Sequence, residues 1–141
     1  MSIDHIRFEE RPPSPEDFVR LRAECGWGEI GLETARKALG GSIFDLTCFD
    51  GTELIGFGRV VGDGALYFYL QDVIVRPSYR GRSIGRQIVS RLTEAALARA
   101  EIGATIGLMS AKGKEELYRR SGFQERPTEN LGAGMTRFVL T

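Results

Sequence analysis

The segment ALYFYLQDVIVRPSYRGRSIGRQIV, Ala65 to Val89, constrains the fold more than any other part of the chain. Its first half is aromatic, then β-branched, and almost continuously apolar, which describes a strand near the middle of a sheet. From Ile84 the period changes, and Ile84, Ile88, Leu92 and Ala95 or Ala96 fall on one face of a helix that should end near Ile102 and Gly103. A central strand feeding a helix through a short loop implies a layered α/β arrangement.

The flanking sequence supplies the rest of that arrangement. Ile3 to Phe8 alternates as a first strand, and SPED at 14–17 reads as a helix start, with Ser14 as N-cap and Pro15 in the first turn. That helix should run to about Cys25. ETARKALGG then reads as a second helix closed by Gly40 and Gly41. IFDLTCFD and ELIGFGRVV flank Asp50 and Gly51 as a β-hairpin, and GDG at 62–64 turns the chain into the central strand. Beyond the long helix, ATIGLMS is a buried strand and KEELYRRSG a short helix closed by Gly122. Phe123 and MTRFVL are expected to supply the last strands. The order is β-α-α-β-β-β-α-β-α-β-β, mixed in direction, with 141 residues sufficing for one domain.

Several function classes are disfavoured by composition. Lysine plus arginine and aspartate plus glutamate are 19 each, so no whole-molecule field draws in nucleic acid or an anionic membrane. His5 is the only histidine, and Cys25 and Cys48 form no CxxC pair, which argues against a metal site and for two free thiols. The first ten residues lack an apolar signal region and no window has the length of a membrane span, so a cytoplasmic location is expected.

Charge is nevertheless concentrated in one place. Between Val73 and Thr93 there is no acid, yet there are Arg76, Arg80, Arg82, Arg86 and Arg91. Arginines on a solvated helix face are common, but this excess sits where a strand hands over to a helix N-terminus. Free N–H groups and the helix dipole favour an anion there. Gly81 and Gly85 allow close backbone approach. The loop is therefore a candidate phosphate site. It is no Walker loop, since no Gly-Lys-Ser/Thr follows, and it lacks GxGxxG spacing.

VRPSYRGRSIG resembles the first signature of the GNAT superfamily of N-acetyltransferases, Gln/Arg-x-x-Gly-x-Gly/Ala after a Val-x-Pro strand end. Val75, Pro77, Arg80 and Gly85 stand in register, and Ser83 replaces the usual middle glycine. LYRRSGF, Leu117 to Phe123, is similar to the family's second signature, Tyr-x-x-x-Gly-Phe. Ala111 stands where such families often carry an asparagine, with Lys112 and Lys114 nearby.

The resemblance implies a single domain spanning 1–141, with a mixed sheet of six to seven strands, about four helices, and strands four and five splayed around the cofactor. It implies acetyl-CoA as donor and a primary amine on a small molecule or peptide as acceptor. The pyrophosphate would be held by the loop Arg80, Gly81, Arg82, Ser83, Ile84, Gly85 and Arg86, with Lys114 as a further contact. Val73, Ile74 and Val75 would present strand backbone to the pantetheine and thioester. Tyr118 would protonate the departing thiolate. Asp72, the only carboxylate on the central strand, and Glu29 are candidates for taking the amine's proton, with a water relay as the alternative. Trp27 and Tyr69 are candidates to shape the acceptor pocket, against plain core packing. No metal is implied, and a homodimer is left open. A non-catalytic acyl-CoA-binding module is the main rival, and a phosphate binder of another fold the second.

Overall fold

The computed structural model describes residues 5–140. It divides into two compact units, residues 1–108 and 109–141. The first contains one five-stranded sheet whose strands lie side by side in chain order. These are β1 (Ile6–Glu9), β2 (Phe44–Asp50), β3 (Glu53–Gly62), β4 (Tyr67–Val75) and β5 (Thr105–Gly107). The first four run antiparallel to their neighbours, and β5 is parallel to β4. That single parallel step needs a crossover, which helix α3 (Ile84–Arg99) provides.

Helices α1 (Pro15–Glu24) and α2 (Leu32–Leu39) lie between β1 and β2 in sequence. The start of α1 follows from its sequence: Ser14 Oγ accepts from the Asp17 amide at 3.1 Å, and Pro15 occupies a position whose N–H would be orphaned anyway. Phe18 and Leu21 of α1 and Ala35 and Leu39 of α2 bury against Phe49, Leu54, Phe57 and Ile74 of the sheet. Phe18 and Phe57 meet edge to face at 5.6 Å. Because side chains alternate along a strand, the residues flanking Phe57 point to the opposite face. They are Gly56 and Gly58, and α3 packs there: a Cβ on Gly58 would stand 2.6 Å from Ile88 and 2.7 Å from Leu92. Ile84, Ile88, Val89, Leu92 and Ala96 are the buried stripe of α3, as the sequence period requires.

In the second unit, α4 (Glu115–Arg119) is one short helix. Among the described residues no strand forms at Phe123 or in 135–140, and the sheet has five strands rather than the expected six to seven. Met135, Phe138, Val139 and Leu140 are instead exposed. Apolar residues favour a strand only when a neighbouring strand pairs with them. Two smaller differences concern ends. α3 stops at Arg99, a few residues early, and β1 begins at Ile6. Ile3 lies outside the described residues.

Candidate functional site

In β4, Phe57 of β3 faces Ile74 while Arg59 faces Gln71, so β4 carries one residue more than its partner. This bulge places Asp72 at φ +58°, the left-handed region. The turn re-aims the Asp72 side chain, which is almost fully buried. Arg59 Nε donates to Oδ2 at 2.8 Å, Arg22 Nη1 to Oδ1 at 3.4 Å, and Gln71 Nε2 to Oδ1 at 3.3 Å. Arg59 also donates to the Ala38 carbonyl at 2.8 Å, near the end of α2. Arg22 reaches the Trp27 carbonyl at 3.2 Å and lies over the Trp27 ring. The CGWGEIG loop is thus tied to the middle of β4 through one guanidinium.

β5 pairs with β4 only from Tyr67 to Tyr69. From Leu70 to Val75, β4 continues with β3 on one side and, among the described residues, no strand on the other. A row of backbone groups that includes Val73 and Val75 is thereby left for another partner. Ile74 points into the α1/α2 core.

After Val75 the chain makes a 3-10 turn, Pro77–Tyr79. The Tyr79 hydroxyl donates to Asp50 at the hairpin tip, and His5 Nε2 lies 3.1 Å from the same carboxylate. Arg80 Nε donates back to the Val75 carbonyl at 3.2 Å, and Arg82 lies over the Tyr79 ring. Gly81 at φ +80° and Ser83 at φ +65° then bring the chain to α3. Ser83 is the N-cap, yet its side chain makes no cap hydrogen bond. The first turn of α3 contains no acid, Ile84 is buried and Arg86 is exposed. The first amides of a helix have no acceptor within it, so this end is electropositive by construction.

The five arginines are not one cluster. Arg76 is paired with Glu24, at 2.7 Å, and with Glu53. Arg91 stacks on Phe8, 4.4 Å from the ring centre. Arg80, Arg82 and Arg86 are those on the loop and first turn. Cys25 is half-buried with its Sγ 3.6 Å from the Val75 carbonyl, and burial raises its pKa against the nearby Arg80 charge. Cys48 is fully buried, and its pKa is pushed up to about 12. Both cysteines are free thiols. Among the described residues, no group of three or more His, Cys, Asp or Glu side chains is placed to hold a metal, and no helix is long and apolar enough to cross a membrane.

Sequence reasoning missed Arg59 and Arg22, the partners of Asp72. A signal existed for Arg59, the lone charge inside ELIGFGRVV, once the β3–β4 register is known. Of the acceptor-side candidates, Trp27 joins the Asp72 network through Arg22. Tyr69 is half-buried at the last β4–β5 pair, and Glu29 is exposed in the loop.

In the second unit, Tyr118 is buried on α4 and its ring meets Phe123 edge to face at 6.3 Å. The turn that brings Phe123 round passes through Gly122 at φ +92°, and the Phe123 amide donates to the Tyr118 carbonyl at 3.2 Å. Burial raises the Tyr118 pKa, so the phenol stays protonated beyond its usual range. Lys114 is the exposed N-cap of α4.

A meander with one parallel strand behind an α3 crossover, and a left-handed loop at the start of α3, define a mixed α/β class. The model of the acetyltransferase (GNAT) domain matches residues 45–125, and the chain belongs to that family. A probable acetyltransferase from methicillin-resistant Staphylococcus aureus superposes with a TM-score of 0.86 at 30% identity, over 95% of this chain and 99% of that one. A GNAT family protein from Streptococcus pneumoniae gives 0.74 at 29% identity, over 95% and 98%. Among curated relatives, a histone acetyltransferase from Glycine max is 35% identical over 125 residues, covering 79% of this chain and 53% of that protein. An uncharacterized N-acetyltransferase from Porphyra purpurea is 28% identical over 115 residues, covering 79% and 65%. The chain thus spans about half to two-thirds of these curated relatives.

Proposed function

We propose that this acetyltransferase moves the acetyl group of acetyl-CoA directly to a primary amine on a small molecule or peptide. One observation carries the reading: the unpaired side of β4 from Leu70 to Val75 leads straight into the loop at the start of α3. An extended pantetheine arm can pair with that backbone as an added strand. The pyrophosphate then meets the amides of residues 82–86, with Arg80, Arg82 and Arg86 as cations. A β4 amide donates to the thioester oxygen as it gains charge.

Amine attack leaves a thiolate and a surplus proton. Tyr118 gives its phenolic proton to the sulfur, and burial keeps that proton in place at neutral pH. Asp72 is almost fully buried and already accepts from Arg59, Arg22 and Gln71, so an incoming amine has little access to it. Water takes the amine's proton and returns one to the Tyr118 phenolate, and Asp72 holds the bulge that orients β4. A thialysine N-epsilon-acetyltransferase from Bos taurus, 33% identical over 90 residues, supports an amine acceptor.

The test is thiol release from acetyl-CoA across an amine panel, with CoA affinity measured by calorimetry. Tyr118→Phe keeps the ring and should lower turnover about 10²- to 10⁴-fold with CoA affinity unchanged. Arg80→Ala should weaken CoA binding. Tight CoA binding without thiol release for any amine would favour a non-catalytic acyl-CoA module, and unchanged affinity in Arg80→Ala would remove the loop from the site.

A further inference from the structure

Tyr79 is the one buried residue from Val75 to Ser83. It closes the 3-10 turn at only 8% exposure, between the exposed Ser78 and Arg80. What holds it there is the β2–β3 hairpin. The phenol donates to Asp50 Oδ2 at the hairpin tip, 29 residues back in sequence, and Asp50 Oδ1 lies 3.1 Å from His5 Nε2. The tip itself is well fixed: Asp50 pairs in register with Ile6 of β1 and Glu53 of β3, and Arg7 donates to the Gly51 carbonyl. The hydrogen bond to Asp50, and burial after it, raise the Tyr79 pKa, so the phenol keeps the proton it donates.

The same ring supports the loop at the start of α3. Arg82 Cζ lies 5.3 Å from the ring centre, within cation–π range, and Arg82 is half-buried. Gly81, at φ +80°, turns the chain so that Arg82 can reach back over Tyr79. Arg80 and Arg86 are exposed, and Arg80 Nε donates to the Val75 carbonyl. Of the three cations on the loop and first turn, Arg82 is the one laid on an aromatic ring, and Asp50 fixes that ring.

We propose that Tyr79 is a positioning residue for the phosphate end of CoA: its hydroxyl pins it to the hairpin tip, and its ring holds Arg82 where the guanidinium meets the pyrophosphate. This rests on the reading of the loop as the CoA site and adds how one of its cations is set in advance. A free arginine loses rotamer freedom when it binds, whereas a preset one has already lost part of it. The phenol also lets the negative Asp50 anchor a cationic loop through a neutral group.

Calorimetry on the full chain, with CoA and with dephospho-CoA, which keeps the pyrophosphate, tests this. Tyr79→Phe keeps the ring and deletes the pin, and should weaken both ligands about 3- to 10-fold, the net worth of one hydrogen bond. Tyr79→Leu removes the ring as well and should weaken them further. The deciding arm is the Arg82→Ala background: if Tyr79 acts through Arg82, adding Tyr79→Phe there should cost nothing more. With an amine that supports thiol release, Tyr79→Phe should act on the KM for acetyl-CoA rather than on kcat. Affinity unchanged in Tyr79→Phe but lost in Arg80→Ala would overturn the positioning role and leave the CoA site standing. Additive losses in the Arg82→Ala background, or a loss for CoA that dephospho-CoA does not share, would overturn it too. A wild-type chain that binds neither ligand would overturn both the role and the reading beneath it.

Discussion

Asp72 and Ser83 are the two described non-glycine residues with positive φ, at +58° and +65°, and the chain treats them differently. Asp72 is buried and held by Arg59, Arg22 and Gln71. Its backbone strain is over-determined by partners on α1 and β3, so the bulge is a fixed part of the fold. Ser83 caps α3 with no side-chain bond and is exposed. Its carbonyl accepts the Gln87 amide at 3.1 Å, the first turn of α3, while its side chain makes no cap bond. One left-handed residue is held by side-chain partners from two other elements, and the other stands at a helix start with no side-chain cap.

Replacing each with glycine separates the two roles, and the Asp72 change should be much the larger. Asp72→Gly relieves φ but strands two guanidiniums, both mostly buried. Removing one partner of a buried ion pair costs about 3–5 kcal/mol. Urea denaturation should show a loss in that range, and a neutral or stabilised variant would mean that the bulge does not depend on its ion pairs. Ser83→Gly should have the opposite sign. Removing a Cβ from the left-handed region recovers about 1 kcal/mol, less the extra freedom that glycine gives the unfolded chain. CoA affinity should hold or tighten by calorimetry. A clear loss of affinity would show that the Ser83 hydroxyl is itself a ligand and that its position is not mere strain.

What the sequence made legible follows the range of the forces involved. The Ser14 cap, the Asp50–Gly51 hairpin and the α3 stripe depend on residues within a few positions of one another, and all three are present. The strand-to-helix loop was readable for the same reason, though its arginines were not. Arg76 is claimed by Glu24 and Glu53, and Arg91 by Phe8, partners that no local pattern announces. The Asp72 bulge depends on the β3–β4 register, which decides that Arg59 meets the carboxylate. The missing last strands teach the same lesson from the other side: strand composition at 135–140 says nothing of where a pairing edge lies.

The smallest effect concerns Asp45, which faces Arg59 across the β2–β3 register, as Asp72 approaches it from β4. The comparison is unequal, because Arg59 Nε is spent on Asp72 and Asp45 Oδ1 is buried without a partner. Burial raises the Asp45 pKa, and the Ser42 hydrogen bond and the Arg59 charge only partly oppose it. The folded protein therefore holds this proton to higher pH than the unfolded chain, where an aspartate titrates near 3.9. Stability from this site is intact below about pH 4 and falls as pH rises through the folded pKa, since the unfolded state ionises first. Asp45→Asn removes the titration while keeping the shape. Its gain should be near zero at about pH 3 and reach its full size, below about 1 kcal/mol, at neutral pH. Thermal melts of both proteins across that range measure it directly. A gain independent of pH would exclude desolvation of the carboxylate as its cause, and a loss at neutral pH would mean that Arg59 needs both aspartates.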